Sequence, residues 1–214
     1  MTNGNQVPPA TNGSGAPSLW WVLAPLGLAL ALLGGTLPYI LSTPDTAAMG
    51  RMSAMRPVGG PFRLVDGDGR VVTEHSWPGR FLLIYFGYTH CPASCPTALN
   101  AMAEAVDGMG DAAGRVQPLF ITVDPARDDR ATMKDYAAQF SPRLSGLTGT
   151  PAAVAEAARH YHINYRARPQ TGGGYAMDHS SIVYLMSPDG RLAAMIPADE
   201  KPDAMRRDIV AAMR

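Results

Sequence analysis

Two thiols lie close together in this sequence and could do chemistry. Cys91 and Cys95 are the only cysteines among the 214 residues, and three residues separate them. A thiolate is both a nucleophile and a soft metal ligand, so such a pair can exchange disulfides or hold a metal ion. A plain structural disulfide is a further alternative. Redox-active pairs usually have two residues between the cysteines, and the spacing of three therefore favours metal binding.

The cysteines lie between a predicted strand and a predicted helix. Residues 81–86 (Phe-Leu-Leu-Ile-Tyr-Phe) have the length and the apolar, aromatic composition of a buried strand. Residues 97–106 are good helix formers with apolar side chains at helical spacing. Pro96 suits a first helical turn, because the amide that it lacks would have no partner there. We therefore expect both thiols at a helix start, where the helix dipole lowers the thiol pKa.

Composition limits the class of protein. Lys and Arg together number 18, as do Asp and Glu, so the formal net charge is zero. A nucleic-acid-binding protein would show a basic excess or patch, so we expect no nucleic-acid partner. Two cysteines cannot form a framework of several disulfides, and the length allows one domain with a real core plus an extension.

The sequence of the N-terminal part predicts a disordered tail followed by a membrane anchor. Residues 1–18 are rich in Asn, Gly, Pro, Thr and Ser and carry no charge, which is typical of a disordered tail. Residues 19–41 are uncharged, and as a helix they would cross a bilayer core of about 30 Å. Trp20, Trp21 and Tyr39 lie near its ends, where aromatic rings favour the membrane interface. A cleaved signal peptide would need a basic first region and a shorter apolar core, so we expect a transmembrane helix.

A linker is predicted at residues 42–59, before a globular domain at residues 60–214. Met49, Met52 and Met55 recur in the linker at three-residue intervals. Thioethers suit soft ions, so a transient metal site is one interpretation. A plain tether with incidental methionines is the interpretation that we favour.

The globular domain predicts an α/β fold. Strands alternate with helices in its first half, and a hairpin and a helix close it, which indicates a central mixed sheet with helices on both faces. Besides the elements around the cysteines, we predict two short strands around an Asp-Gly-Asp-Gly turn in residues 62–72, a strand at 116–123, helices at 131–140, 151–160 and 203–213, a flexible loop at 171–174, and a hairpin formed by 180–186 and 192–196.

Three motifs in this order resemble the Sco (SCO1/SenC) family from about Gly60 to the C-terminus. They are Gly-Tyr-Thr-His-Cys-Pro-Ala-Ser-Cys-Pro at residues 87–96, Val-Asp-Pro-Ala-Arg-Asp at 123–128 and Met-Asp-His-Ser at 177–180. The resemblance implies a thioredoxin-like fold and a copper protein that takes part in assembling the CuA centre of cytochrome c oxidase. An N-terminal anchor is also the layout of the family.

The resemblance implies that His179 joins Cys91 and Cys95 in holding one copper ion per domain, as Cu(I) or Cu(II). Without the resemblance, a purely structural role for His179, with its ring hydrogen-bonded to the backbone at the start of a strand, would be as good an interpretation as metal binding. We place His179 at the start of a strand that follows the Gly-rich loop, and the glycines of that loop, residues 172–174, could let it move toward or away from the thiols.

Three further side chains are candidates around this site. His90 is a competing ligand because it adjoins Cys91, although neighbours in a chain rarely chelate one ion comfortably. Asp124 and Asp178 could orient or tune the ligands through hydrogen bonds. Capping of a turn and of a strand end is the alternative role for these two carboxylates.

The expected function is that of a membrane-anchored copper metallochaperone rather than an enzyme. Its implied partners are subunit II of cytochrome c oxidase, or a similar copper-receiving protein, and other copper chaperones. A thiol–disulfide reductase in which Cys91 and Cys95 act on the cysteines of the target is the main alternative, and a redox or copper sensor is another.

The expected location is a bacterial inner membrane, with the globular domain in the periplasm. The family faces the periplasm or the mitochondrial intermembrane space, and this N-terminus lacks the Arg-rich character of a mitochondrial transit peptide. Arg51 and Arg56 follow the predicted span while no basic residue precedes it. The positive-inside rule taken alone therefore favours the opposite orientation.

Overall fold

The computed structural model of the protein describes residues 57–214. The predicted tail, the predicted anchor and most of the predicted linker lie outside these residues. Within the described part of the chain, no helix combines the length and the apolar character needed to cross a membrane. The elements are β1 (Leu64–Asp66), β2 (Val71–Val72), β3 (Phe81–Gly87), α1 (Ser94–Asp107), a 3₁₀ helix (Gly110–Arg115), β4 (Val116–Thr122), α2 (Arg130–Ala138), β5 (Ser145–Thr148), α3 (Pro151–His160), β6 (Tyr165–Pro169), β7 (Tyr175–His179), β8 (Ile182–Met186), β9 (Leu192–Pro197) and α4 (Pro202–Ala212).

The strands β3 and β4 form the centre of a seven-stranded mixed sheet. The strand order is β2-β1-β5-β4-β3-β8-β9, with β3, β4 and β5 parallel and the other neighbours antiparallel. Every residue of β3 and β4 is buried. Strands covered on both faces have continuous apolar runs rather than alternating ones, which is why both were predictable from the sequence.

Helices cover both faces of this sheet. Successive residues of a strand point to opposite faces, so Tyr85 and Phe86 of β3 identify the two sides. Tyr85 stacks on Phe120 of β4, and that ring contacts Tyr136 of α2. Phe86 contacts Tyr161, which directly follows α3. The predicted α/β architecture with helices on both faces is therefore confirmed.

A separate two-stranded sheet lies beside the main one. Its strands β6 and β7 are hydrogen-bonded to each other and to no strand of the main sheet. The sequence predicted only a flexible loop here, and the glycines at 172–174, all with positive φ, form the turn of this hairpin. The residues of β6 and β7 are half-buried or exposed, so no apolar run marked them. The short β5 is mostly buried, but with Ser145 and Gly146 among its four residues it has no apolar run that would mark it.

Gly146 in β5 should not tolerate a side chain. A Cβ atom there would lie 2.4 Å from the Met133 carbonyl oxygen in α2, so the helix would have to move away from the sheet. We expect Gly146→Ala to lower the free energy of unfolding by about 1–3 kcal/mol, measured by denaturant titration. Gly114→Ala is the matched control, because a Cβ atom there has no heavy atom within 4 Å. Equal effects of the two substitutions would contradict this packing.

Candidate metal centre

A buried carboxylate holds the loop between β3 and α1. Asp128 has no exposed surface and lies in the segment after β4. Its oxygens accept hydrogen bonds from the Thr89 N–H at 3.0 Å, the Thr89 hydroxyl at 2.6 Å and the Thr122 hydroxyl at 2.7 Å. Three donors satisfy a carboxylate that has lost its water. The turn that leads to Cys91 is therefore held against the end of β4.

The last residue of β3 leaves room for the second thiol. A Cβ atom on Gly87 would lie 2.7 Å from the Cys95 sulfur and 2.8 Å from the ring of Phe120. Helix α1 begins at Ser94, three residues earlier than predicted, so Cys95 lies in its first turn. Its sulfur packs on the strand and is fully buried, whereas Cys91 remains 8% exposed. The structure thus gives the two thiols different surroundings.

The Cys91 sulfur lies at the amino end of α1. It accepts a hydrogen bond from the Cys95 N–H at 3.3 Å and lies 3.0 Å from the Ser94 hydroxyl oxygen. Burial by itself raises the pKa of Cys91, but hydrogen bonds to Ser94 and to backbone N–H groups outweigh burial and leave the pKa below its usual value. The lowered pKa expected from the sequence is confirmed for this cysteine.

For Cys95 the expected lowering of the pKa is wrong. Burial destabilises its thiolate, and the nearby Cys91 sulfur adds to that effect, so that the pKa of Cys95 is raised to about 12. The Tyr85 hydroxyl, 3.8 Å from the Cys95 sulfur, offsets only part of this shift. Without a metal ion, the pair therefore combines an activated outer thiol with a protonated inner one.

His179 brings an imidazole to the two sulfurs. It is the last residue of β7, not the first residue of a following strand as predicted. Its Nε2 atom lies 3.5 Å from the Cys95 sulfur, and its Nδ1 atom lies 3.0 Å from the Ser180 carbonyl oxygen. Because a carbonyl only accepts hydrogen bonds, Nδ1 carries the proton and Nε2 presents its lone pair to the sulfurs. Burial lowers the pKa of His179, which favours the neutral, metal-binding form.

The three predicted ligands converge on one point. One ligand atom each from Cys91, Cys95 and His179 lie within 4.8 Å of one another. Two sulfurs on opposite sides of one ion, each at about 2.3 Å, lie about 4.6 Å apart, so small shifts would bring all three atoms onto one ion. Two thiolates and an imidazole suit a soft or borderline ion. Within residues 57–214 this is the one such group of His, Cys, Asp or Glu side chains.

Two tyrosines confine the imidazole. The rings of Tyr85 and Tyr88 meet the His179 ring edge to face, with centroids 5.9 Å and 6.0 Å away. Both tyrosines are buried. Neither tyrosine was predicted to have a role, and their place in the aromatic run just before Cys91 was the available signal.

His90 and Asp178 lie beside the three ligands and are engaged elsewhere. The His90 side chain is 53% exposed, and its Nδ1 atom lies 3.1 Å from the Thr89 hydroxyl oxygen. The Asp178 carboxylate forms ion pairs with Arg168 at 3.1 Å and with Arg166 at 3.5 Å, both across the hairpin. Neither side chain belongs to the group of converging ligand atoms.

Asp124 contacts the hairpin that carries His179. Its carboxylate accepts a hydrogen bond from the Tyr175 hydroxyl at 2.8 Å and pairs with the Arg127 guanidinium. Asp124 was predicted as a candidate that orients the site, whereas Arg127 and Tyr175 were not predicted to take part. No local pattern could have linked them, because Tyr175 lies 51 residues from Asp124.

Known proteins resemble this chain over most of its length. Residues 50–214 match the model of a family described as SCO1/SenC. The mitochondrial SCO1 homolog 1 of Arabidopsis thaliana is 37% identical over 158 residues, which cover 73% of this chain and 47% of that protein. The mitochondrial SCO2 homolog of Homo sapiens is 36% identical over 220 residues, which cover 96% of this chain and 83% of that protein. The chain thus spans about half the length of the Arabidopsis protein, and 60% of the SCO2 homolog of Bos taurus.

Solved structures have the same fold. Bradyrhizobium japonicum ScoI with copper bound superimposes with a TM-score of 0.67 at 42% identity, over 72% of this chain and 99% of that one. Yeast Sco1 with copper bound gives a TM-score of 0.67 at 37% identity, over 72% of this chain and 87% of that one. The family model, the sequence identities and the shared fold together show that this chain belongs to the SCO1/SenC family.

Proposed function

We propose that this protein is a membrane-anchored copper metallochaperone. The convergence of Cys91, Cys95 and His179 within 4.8 Å carries the proposal. Relatives from Bradyrhizobium japonicum and yeast have been solved with copper bound, and Cu(I) prefers thiolate and accepts imidazole. The cargo is one copper ion per domain, held as Cu(I) or Cu(II) by these three side chains.

Copper leaves this site by stepwise exchange of ligands. Cys95 is fully buried while Cys91 reaches the surface, and His179 lies on a hairpin outside the main sheet. An incoming ligand of the acceptor therefore approaches from the side of Cys91 and His179. The buried Cys95 sulfur is the last to release the ion, which keeps copper bound until the acceptor holds it.

The acceptor that we propose is the CuA-bearing subunit II of cytochrome c oxidase, and other copper chaperones supply the ion. Membership of the SCO1/SenC family supports both partners. The predicted span at residues 19–41 anchors the domain to a bacterial inner membrane, on its periplasmic side. The curated relatives described above are named mitochondrial, and a relative solved with copper bound is from the bacterium Bradyrhizobium japonicum.

A second function is favoured by the unequal thiols. The lowered pKa of Cys91 and the raised pKa of Cys95 are those of an attacking and a resolving cysteine. The Cys91 thiolate would attack a disulfide of the target and release one target thiolate. Cys95 would then attack the Cys91 sulfur and release the second, leaving a Cys91–Cys95 disulfide and a target reduced by two electrons. This reaction would prepare the cysteines of an oxidase for copper.

Replacing His179 should separate the two functions. We expect His179→Ala to lower Cu(I) affinity by more than about tenfold, since even the loss of a residue behind a ligand costs that much. The affinity is measured on the thiol-reduced protein by competition with a Cu(I) chelator, and the protein should still reduce a disulfide through its two thiols. His90→Ala is the matched control, because this exposed histidine lies outside the ligand group. Unaltered affinity in His179→Ala would overturn the three-ligand site.

Alkylation should distinguish the two thiols. In the reduced, metal-free protein at neutral pH, we expect iodoacetamide to modify Cys91 more than about tenfold faster than Cys95, because only thiolates react and burial keeps Cys95 protonated. Peptide mass spectrometry at successive times gives both rates. In urea the two rates should become similar. Equal rates in the folded protein would show that the thiols are equivalent and would remove the basis for the reductase.

A reporter fusion can show on which side of the membrane the globular domain lies. Alkaline phosphatase, which is active only outside the cytoplasm, should be active when it is fused after Arg214. Activity of a cytoplasm-dependent reporter at the same position would instead support the orientation that Arg51 and Arg56 favour.

A further inference from the structure

The hairpin of β6 and β7 is closed at its base by its own hydrogen bonds and contacts the rest of the domain along β7. At its base, the Ser180 N–H donates to the Asn164 carbonyl at 3.1 Å, and the Asn164 N–H donates to the Ser180 hydroxyl at 3.2 Å. At the other end of β7, Tyr175 contacts the segment that follows β4. His179 lies between the closed base and the contacts of Tyr175, next to the base. Its position therefore depends on the direction in which the hairpin leaves that base.

The attachment at Tyr175 is a cluster of three side chains, which we name the clasp: Asp124, Arg127 and Tyr175. Nη1 of Arg127 donates to the Tyr175 carbonyl oxygen at 3.0 Å, and the guanidinium carbon lies 3.8 Å from the centre of the Tyr175 ring. The Tyr175 hydroxyl donates to Asp124 at 2.8 Å, and Arg127 pairs with the other carboxylate oxygen. Backbone, ring and hydroxyl of one hairpin residue are thus all engaged.

The clasp is held from a rigid part of the domain. Asp124 is 3% exposed, and its backbone carbonyl accepts hydrogen bonds from the N–H groups of Arg127 and Asp128. The Asp128 carbonyl in turn accepts the Thr148 hydroxyl at 2.7 Å. The segment is therefore bonded to the main sheet, and only the Tyr175 side of the clasp belongs to the hairpin.

One nitrogen of the Arg127 guanidinium has no hydrogen-bond partner among the described residues. The side chain of Arg127 is 24% exposed, but this nitrogen, Nη2, is buried. A buried donor without a partner costs free energy. Besides Tyr175, the guanidinium also lies 5.7 Å from the ring of Tyr88, which meets the imidazole of His179 edge to face. Arg127 therefore lies against Tyr175 of the hairpin and near Tyr88, which confines the imidazole of His179.

We propose that the clasp sets the angle of the hairpin and so keeps His179 facing the two thiols. Arg127 and Tyr175 are positioning residues, since neither belongs to the ligand group. With the clasp formed, the hairpin is held at both ends of β7 and Nε2 of His179 stays 3.5 Å from the Cys95 sulfur. With the clasp broken, the hairpin pivots at its base and the imidazole leaves the thiols. This inference rests on the proposed copper function. It identifies the contacts that position His179, the third proposed copper ligand.

Hydrogen–deuterium exchange in the metal-free protein tests the clasp without copper. We expect Tyr175→Leu and Arg127→Gln to speed exchange of the amides at residues 175–179, while amides of the main sheet keep their rates. Arg168→Gln is the matched control, because it removes an arginine of the same hairpin whose ion pair with Asp178 is exposed. Tyr175→Phe, which removes only the hydroxyl, should give a smaller effect than Tyr175→Leu. Unchanged exchange in both clasp variants would overturn the proposal.

Copper titration in two backgrounds tests whether the clasp acts through His179. In otherwise unaltered protein, Tyr175→Leu should weaken Cu(I) binding about tenfold, as is typical for residues that orient a ligand. In the His179→Ala background the same change should alter affinity less than about twofold, because the ligand that the clasp positions is absent. Equal losses in both backgrounds would show that the clasp does not act through His179. If unaltered protein binds no copper, the proposed function fails, while the exchange experiment still decides on the clasp.

Discussion

The arrangement of the site depends on one buried carboxylate. Asp128 binds the loop before the cysteines through Thr89 and the end of β4 through Thr122, and its own carbonyl accepts the hydroxyl of Thr148 at the end of β5. It thus joins the carboxyl ends of three neighbouring parallel strands, the edge at which open α/β sheets bind ligands. Leaving any of these buried groups unpaired would cost about 1–3 kcal/mol, so the loops at this edge have one favoured arrangement.

This edge gives two chemically identical side chains different properties. Cys91 faces the amino end of α1 and has a lowered pKa, whereas Cys95 lies against Gly87 in the core and has a raised one. In the empty protein the difference suits disulfide exchange. A bound metal ion deprotonates a coordinating thiol, so binding would release a proton from Cys95 and leave both sulfurs as thiolates. Metal and redox chemistry therefore require the same pair in different states, and the two proposed functions are compatible.

The third proposed ligand, His179, is held by a less stable part of the fold than the two cysteines. Both thiols are carried by the junction of β3 and α1, within the main core. His179 is carried by a hairpin with few buried residues, and hairpins of this size have little stability of their own. Tyr85 and Tyr88 confine the ring from the core side, and the contacts of Arg127 hold the far end of β7. A rigid pair of ligands with a third ligand on a less stable hairpin suits the proposed function, in which the protein must both hold an ion and give it up.

Local patterns in the sequence determined the thiol pair, the strand before it and the helix after it, because continuous apolar runs and helical spacing are properties of neighbouring residues. The three motifs determined the family and named His179. The sequence did not reveal β5, which is four residues long and has only one large apolar side chain, or the hairpin, whose strands have no buried residue. The opposite pKa shifts of the cysteines, the role of Asp128 and the contacts of Arg127 were decided by the tertiary structure. Each depends on groups that are distant in the chain, up to 84 residues for Cys95 and His179, and only the packing of the sheet brings such groups together and removes them from water.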